Sequence, residues 1–343
     1  MTMRVGLKSV RSEAFACWKW SGFLQSCGDQ DKPLLIINMD ETSVKLCPQV
    51  RKGWIVAGPE GLKSLRRRGP GLSLAERRSA ITLVSFLADK PEYQHLLPHV
   101  FLSNMHILSE KEAQDLNETT PENTLFVRQT SGWVNFSILV DILKVLAIYL
   151  DGIMDTHRVV LCMDTYKSHL HVDVIRQCTD LGFLLHFIPA SLTAWLQPLD
   201  VVVFKKYKDW IARETERSRV SSPTGRLSKV EVFRVCAAGV HAVMEGEPWG
   251  RAFELAGLRG QVGIAAELSK RLGFDGPVSV PPALPSAADL MAVYPRRLNI
   301  PVDDLFELPV RLSRARPQLV LPKRARLTVK TTPPSSLPSG VEP

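Results

Sequence analysis

Two apolar runs in this chain end alike: residues 34–40 read LLIINMD and residues 158–164 read RVVLCMD, each closing on Met-Asp. Such short continuous runs, stopped by a polar residue, match strands buried on both faces, which belong to sheets covered by helices. FLLHFI at 183–188, closed by Pro189, reads as another strand, as do WIVAG at 54–58 and SAITLVSFLA at 79–88. FSILVDILKVLAIYL at 136–150 is apolar almost all round and too long for a typical strand, so it reads as a buried helix. A further helix is expected through about 170–181, ending at Gly182, and helical patterning resumes after Pro198 to about Arg217. Strand, strand, strand, helix, strand, helix, strand, helix predicts an α/β fold: a mixed sheet with helices on its faces.

The 343 residues make about two domains, or one large domain with an appendage. The expected division is a lead-in at 1–33 with a short amphipathic helix over 9–26, a sheet-bearing body at 34–217, a helical C-terminal region with a Pro-rich segment at 218–309, and a basic disordered tail at 310–343. In the third part, 229–245 and PWGRAFELAGL read as helices. The six scattered cysteines show no C-x-x-C pair and no histidine at finger spacing, so they read as core thiols. The longest apolar runs are far short of the roughly 18 residues of a membrane span, and the basic N-terminus has no continuous apolar stretch of a secretory signal. An intracellular protein with no membrane partner is expected.

Charge is uneven. Of the net +8, residues 310–343 hold seven basic residues against one acidic, Glu342. A second cluster, Lys63, Arg66, Arg67, Arg68, Arg77 and Arg78, falls in one Gly- and Ser-containing stretch. Two basic segments on a near-neutral body point to a polyanion such as DNA, although a charge run also reads as a solvated face. Lys323-Arg324-Ala325-Arg326 after Pro322 fits a short basic nuclear-import pattern.

Three acids carry the chemistry. Asp40 and Asp164 leave the same sheet edge if their strands are neighbours, and Asp200 follows HFIPASLTAWLQPLD near the start of a helix. Taken singly, each reads as a cap or turn residue. Together, converging carboxylates repel one another unless protonated or bridged by cations, and hard oxygen ligands select Mg2+ or Mn2+. Two such ions serve phosphodiester cleavage.

INMDETSV, MDTYKSHL and FIPASLTAWLQPLDVVVFKKYK resemble the DDE superfamily of endonucleases, specifically pogo- and mariner-type transposases and their domesticated centromere-protein-B-like relatives. The resemblance runs over roughly 34–210 and more weakly to about 260, with LQPLD followed by VVVFKKYK its most distinctive piece. It implies a ribonuclease-H-like fold with Asp40 on the first strand and Asp164 on the fourth, and Asp40, Asp164 and Asp200 as catalytic acids and ligands of two Mg2+ or Mn2+ ions. It also implies a DNA substrate and a homodimer or synaptic assembly, while a nuclear location is expected from the basic Lys323–Arg326 pattern. His169 matches a histidine five residues after the second acid, where it orients the loop, approaches nucleic acid or is structural. Trp195 reads as a base-stacking or a core residue.

The chain departs from the family pattern at Thr165, where relatives usually carry Asn, and at Ala88-Asp89-Lys90, where an Asp-Gly turn is usual. The 33 residues before the first strand are too few for a helix-turn-helix module. DNA recognition is therefore expected from another subunit or from the basic segments, or the chain is a fragment or remnant. Two functions follow: a metal-dependent endonuclease with strand transfer, or an inactive DNA-binding protein of transposase origin.

Overall fold

The central strand β1 spans Leu34–Lys45, and its burial changes character along its length. From Leu35 to Asp40 the strand is buried throughout, whereas beyond Glu41 burial alternates, with Thr42 and Val44 inside and Ser43 and Lys45 exposed. That alternation is what a strand covered on one face shows. β1 therefore runs five residues past Asp40, where the sequence reading stopped it. The computed structural model describes residues 32–46, 80–130, 132–224 and 227–259, together with Ala14 and Cys17. The helix expected over 9–26, apart from those two residues, lies outside them, as do WIVAG, the basic stretch from Lys63 to Arg78, the Pro-rich segment and the basic tail.

β2 (Ala80–Ala88) is followed by β3 (His99–Asn104), helix α1 (Glu110–Thr119), β4 (Thr124–Gln129) and helix α2 (Phe136–Tyr149). β5 (Arg158–Asp164), α3 (Val172–Leu181) and β6 (Leu184–Ile188) come next. The six described strands form one sheet in the order β4-β3-β2-β1-β5-β6. β1–β2 and β2–β3 are antiparallel; β1–β5, β5–β6 and β3–β4 are parallel. The parallel neighbours β3–β4 and β5–β6 need crossovers, which α1 and α3 provide. This is the ribonuclease-H-like mixed sheet flanked by helices that the sequence led one to expect. The addition of β4 at its edge makes Asp164 the end of the fifth described strand, not the fourth.

Local signals set the helix ends. Ser109 and Glu112 form a reciprocal capping box at the start of α1, and Asn135 Oδ1 accepts the Ile138 N–H at the start of α2. α3 stops at Gly182, whose φ of 86° is open to glycine at no steric cost.

After β6 the chain makes a π-helical turn, Leu199–Val203, that runs into α4 (Phe204–Ser221). α5 (Lys229–Gly239) passes into a second π-helical turn, Val240–Glu245, and α6 (Gly250–Leu255) follows. These C-terminal helices share the sheet's core: Phe233 meets Phe126 of β4 edge-to-face at 5.7 Å, and fully buried Tyr207 donates its hydroxyl to the Cys236 carbonyl at 3.0 Å. The described cysteines, Cys17, Cys162, Cys178 and Cys236, are all buried free thiols.

Candidate active site

Parallel pairing of β1 and β5 places Asn38 opposite Cys162, so Asp40 and Asp164, each two residues further on, lie side by side on neighbouring strands. Asp40 is buried, and its Oδ1 accepts the Glu41 N–H at 2.7 Å. Its Oδ2 is buried with no hydrogen-bond partner. Asp200 comes to it from the far side of the chain. The π-helical turn that carries Asp200 has the Phe204 N–H reaching back five residues to the Leu199 carbonyl, and such turns re-aim a side chain relative to an α-helix. The Asp200 carboxyl lies close enough to Asp40 for the two to shift each other's titration.

The electrostatics follow from that meeting. Burial pushes the Asp40 carboxyl well above the usual range, and the charges of Asp200, Glu41 and Asp164 push it further. Asp200 is exposed as a residue, yet the buried position of its carboxyl raises it too, against the opposing pull of the Asp40 contact and of Lys208. Two acids face each other and neither has a donor to offer while both are charged. A shared proton or a cation relieves that repulsion.

Asp164 is held differently. Its Oδ1 accepts the Tyr166 N–H at 3.0 Å and lies 2.6 Å from Nδ1 of His169. The other ring nitrogen of His169 lies 3.0 Å from Oε1 of Glu41. Burial alone pulls the His169 pKa down, but the two carboxylates outweigh it and carry it up to about 10, so the ring donates from both nitrogens. His169 has no exposed side-chain surface and bridges Asp164 and Glu41. Thr165, at the position of the family departure, accepts the Ala190 N–H on its hydroxyl at 3.1 Å and so ties the end of β5 to the segment leading to Asp200. Trp195 is half-buried and packs against the core.

The structure thus brings Asp40 and Asp200 within electrostatic range of each other and sets Asp164 beside Asp40, turned to His169. The oxygen-only donors and the orphaned Asp40 Oδ2 fit a hard divalent cation. Among the described residues, no three acidic, histidine or cysteine side chains yet converge as a complete ligand set. The basic candidates Lys63, Arg66, Arg67, Arg68, Arg77 and Arg78 lie outside the described residues.

Two residues at the site went unread in the sequence. Glu41 was hidden within the DET run. Asn38, the one polar residue inside LLIIN, carried a usable signal, because an amide in an apolar run must find partners when buried.

Comparison with known families matches residues 90–229 to the DDE superfamily endonuclease, a segment that includes Asp164 and Asp200. Among solved structures, the chain is similar to one described as "Mos1 transposase paired-end complex with left transposon end", with 13% identity and a TM-score of 0.36. That likeness covers 72% of this chain and 62% of the other, so the chain spans less than two thirds of the length of the structure it matches. No curated protein matches the chain. Over its residues 90–229, this chain is similar to the DDE superfamily of endonucleases.

Proposed function

We propose that the chain is a DNA endonuclease domain of transposase origin that cleaves phosphodiesters with Mg2+ or Mn2+. The observation that carries this reading is the meeting of Asp40 and Asp200, in which a buried carboxylate oxygen without a donor faces a second carboxylate. When bound, a divalent cation supplies the positive charge that lets these acids sit together and polarises a phosphodiester for attack. Asp40, Asp164 and Asp200 would hold it, and two ions are the expectation.

The chain's own residues prepare the site. Asp40 is fixed by its strand, Asp164 by His169 and Tyr166, and Asp200 by the π-helical turn. Exposed Lys205 and Lys208, on α4 just beyond Asp200, offer charge to a nucleic-acid backbone. In cleavage, a water oxygen bonds to phosphorus while the 3′ oxygen leaves and gains a proton, giving a 3′-hydroxyl and a 5′-phosphate. Attack by that hydroxyl on a second duplex, exchanging one phosphodiester for another, is strand transfer.

DNA is the partner in this reading, handled by a homodimer or synaptic assembly in the nucleus. The basic stretch from Lys63 to Arg78 is a further candidate contact. Neutralising Arg66, Arg67 and Arg68 is expected to weaken duplex binding for all sequences alike and to flatten its salt dependence; an unchanged slope removes that contact. No described helix is long and apolar enough to cross a membrane.

One observation favours a second reading, binding without cleavage. Asp164 Oδ1 is already committed to His169 and to the Tyr166 N–H. Plasmid nicking by wild type and by Asp164→Ala in Mg2+ or Mn2+ separates the two. Cleavage lost in the variant supports the endonuclease, and binding without cleavage supports the remnant.

A further inference from the structure

The three acid-bearing elements meet at one buried amide. Asn38 lies on β1 two residues before Asp40 and has no exposed surface. Its Nδ2 donates to the Cys162 carbonyl at 3.2 Å, two residues before Asp164, and to the Met39 carbonyl at 3.3 Å, next to Asp40. Its Oδ1 accepts the Leu199 N–H at 3.0 Å, one residue before Asp200. A planar amide has two donor hydrogens and one acceptor oxygen in fixed directions, and here all are used. Each partner adjoins or nearly adjoins one of the acids. Leu199 opens the π-helical turn, and the Asn38 oxygen caps its N–H.

We infer that Asn38 is the positioning residue of the acid site: it holds Asp40, Asp164 and Asp200 in one register through backbone contacts, without touching substrate. Gln197 supports the same junction, its Nε2 donating to the Met39 carbonyl at 3.4 Å. No other common side chain of this size offers both donors and acceptor. Asp keeps the acceptor and loses the donors, Leu keeps the volume and loses both, and Ser is too short to span the three partners.

The inference rests on the endonuclease reading for its purpose, so its test uses readouts that do not depend on cleavage. In full-length protein, wild type is compared with Asn38→Leu, Asn38→Ser and Asn38→Asp. Three quantities are measured: amide exchange at Leu199, Mn2+ affinity by calorimetry, and plasmid nicking. Asn38→Leu is expected to speed Leu199 exchange at least 100-fold and weaken Mn2+ binding at least tenfold. Asn38→Ser does the same in lesser degree and serves if the Leu variant does not fold. Asn38→Asp, which retains the acceptor, is expected to keep Leu199 protected. Unchanged Leu199 exchange in the Leu and Ser variants overturns the inference, and so does faster exchange with Mn2+ affinity intact. Wild type that binds Mn2+ but does not nick overturns the endonuclease reading alone. Wild type that does not bind Mn2+ overturns both.

Discussion

Asp164 Oδ1 lies 2.6 Å from Nδ1 of His169, a histidine with no exposed side-chain surface. Its second nitrogen is taken by Glu41, so the ring is a buried cation between two acids. Removing one member of such a buried set leaves the others uncompensated, at a cost of about 3–5 kcal/mol when all are fully buried. Both carboxylates here keep some contact with water, so His169→Ala is expected to lose about 2–4 kcal/mol of unfolding free energy. Urea titration at pH 7 measures it, and His169→Gln, which keeps one donor, should lose less.

Asp89 gives the opposite lesson about burial. Its Oδ1 accepts the Ile36 N–H at 2.9 Å and its carboxyl meets Arg259 at 3.3 Å, yet burial dominates and raises its pKa from 3.8 to about 6. For an acid raised in the fold, the stabilising contribution is complete below 3.8 and is lost as pH rises through about 6. Asp89→Asn keeps the oxygen acceptor and stays neutral. It is expected to match wild type near pH 4 and to exceed it by about 2–3 kcal/mol at pH 8, read from urea midpoints at the two pH values.

His186 and His99 run the other way. Both are buried, and burial lowers each pKa from 6.5 to about 4. Their contribution is complete above 6.5 and is lost as pH falls through about 4, roughly 3 kcal/mol for each. His186 sits between the thiols of Cys17 at 3.3 Å and Cys162 at 3.6 Å, an apolar setting that accepts a ring without charge. His186→Phe is expected to flatten the loss of stability between pH 6.5 and 4 by one proton's worth; an unaltered slope refutes the assignment.

The π-helical turn Leu199–Val203 sets the angle at which Asp200 meets Asp40. Downstream, buried Phe204 and Tyr207 anchor α4. Deleting Val202 therefore rotates the upstream turn by about 100°, one residue's share of a helical turn. The expected product is a folded protein, by circular dichroism, that no longer binds Mn2+ at this site. Retained Mn2+ affinity contradicts the role given to the turn.

The parts of the fold with continuous apolar runs were legible: the first half of β1, β2, β5, β6 and α2 all lie where LLIINMD, SAITLVSFLA, RVVLCMD, FLLHFI and FSILVDILKVLAIYL were read. HVFLSN and TLFVRQ, which form β3 and β4, were not read as strands. Each is six residues long and ends in polar side chains, so neither shows a clean run or a clean alternation. α1 was missed for a related reason, since only Ala113 and Leu116 of EKEAQDLNET are buried. Its Ser109–Glu112 capping box was nevertheless present in the sequence as Ser-x-x-Glu. The continuation of β1 through Thr42 and Val44 was visible as period-two alternation but was masked by the polar DET. At the site, Asp164 lies at the strand end and Asp200 at the start of the helical segment where they were read, whereas Asp40 lies within β1 and not at its end. The partners that hold them were not, because Glu41–His169 and Asn38–Leu199 join residues far apart in the chain.

The central claim is that Asp40, Asp164 and Asp200 form a working metal-dependent nuclease site. It is tested most directly by incubating purified full-length protein with supercoiled plasmid in Mg2+, Mn2+ or Ca2+, with Asp164→Ala as the paired control. The account predicts nicking in Mg2+ or Mn2+ that disappears in the variant. Equal nicking by both proteins, or duplex binding by wild type with no nicking in any metal, would contradict it.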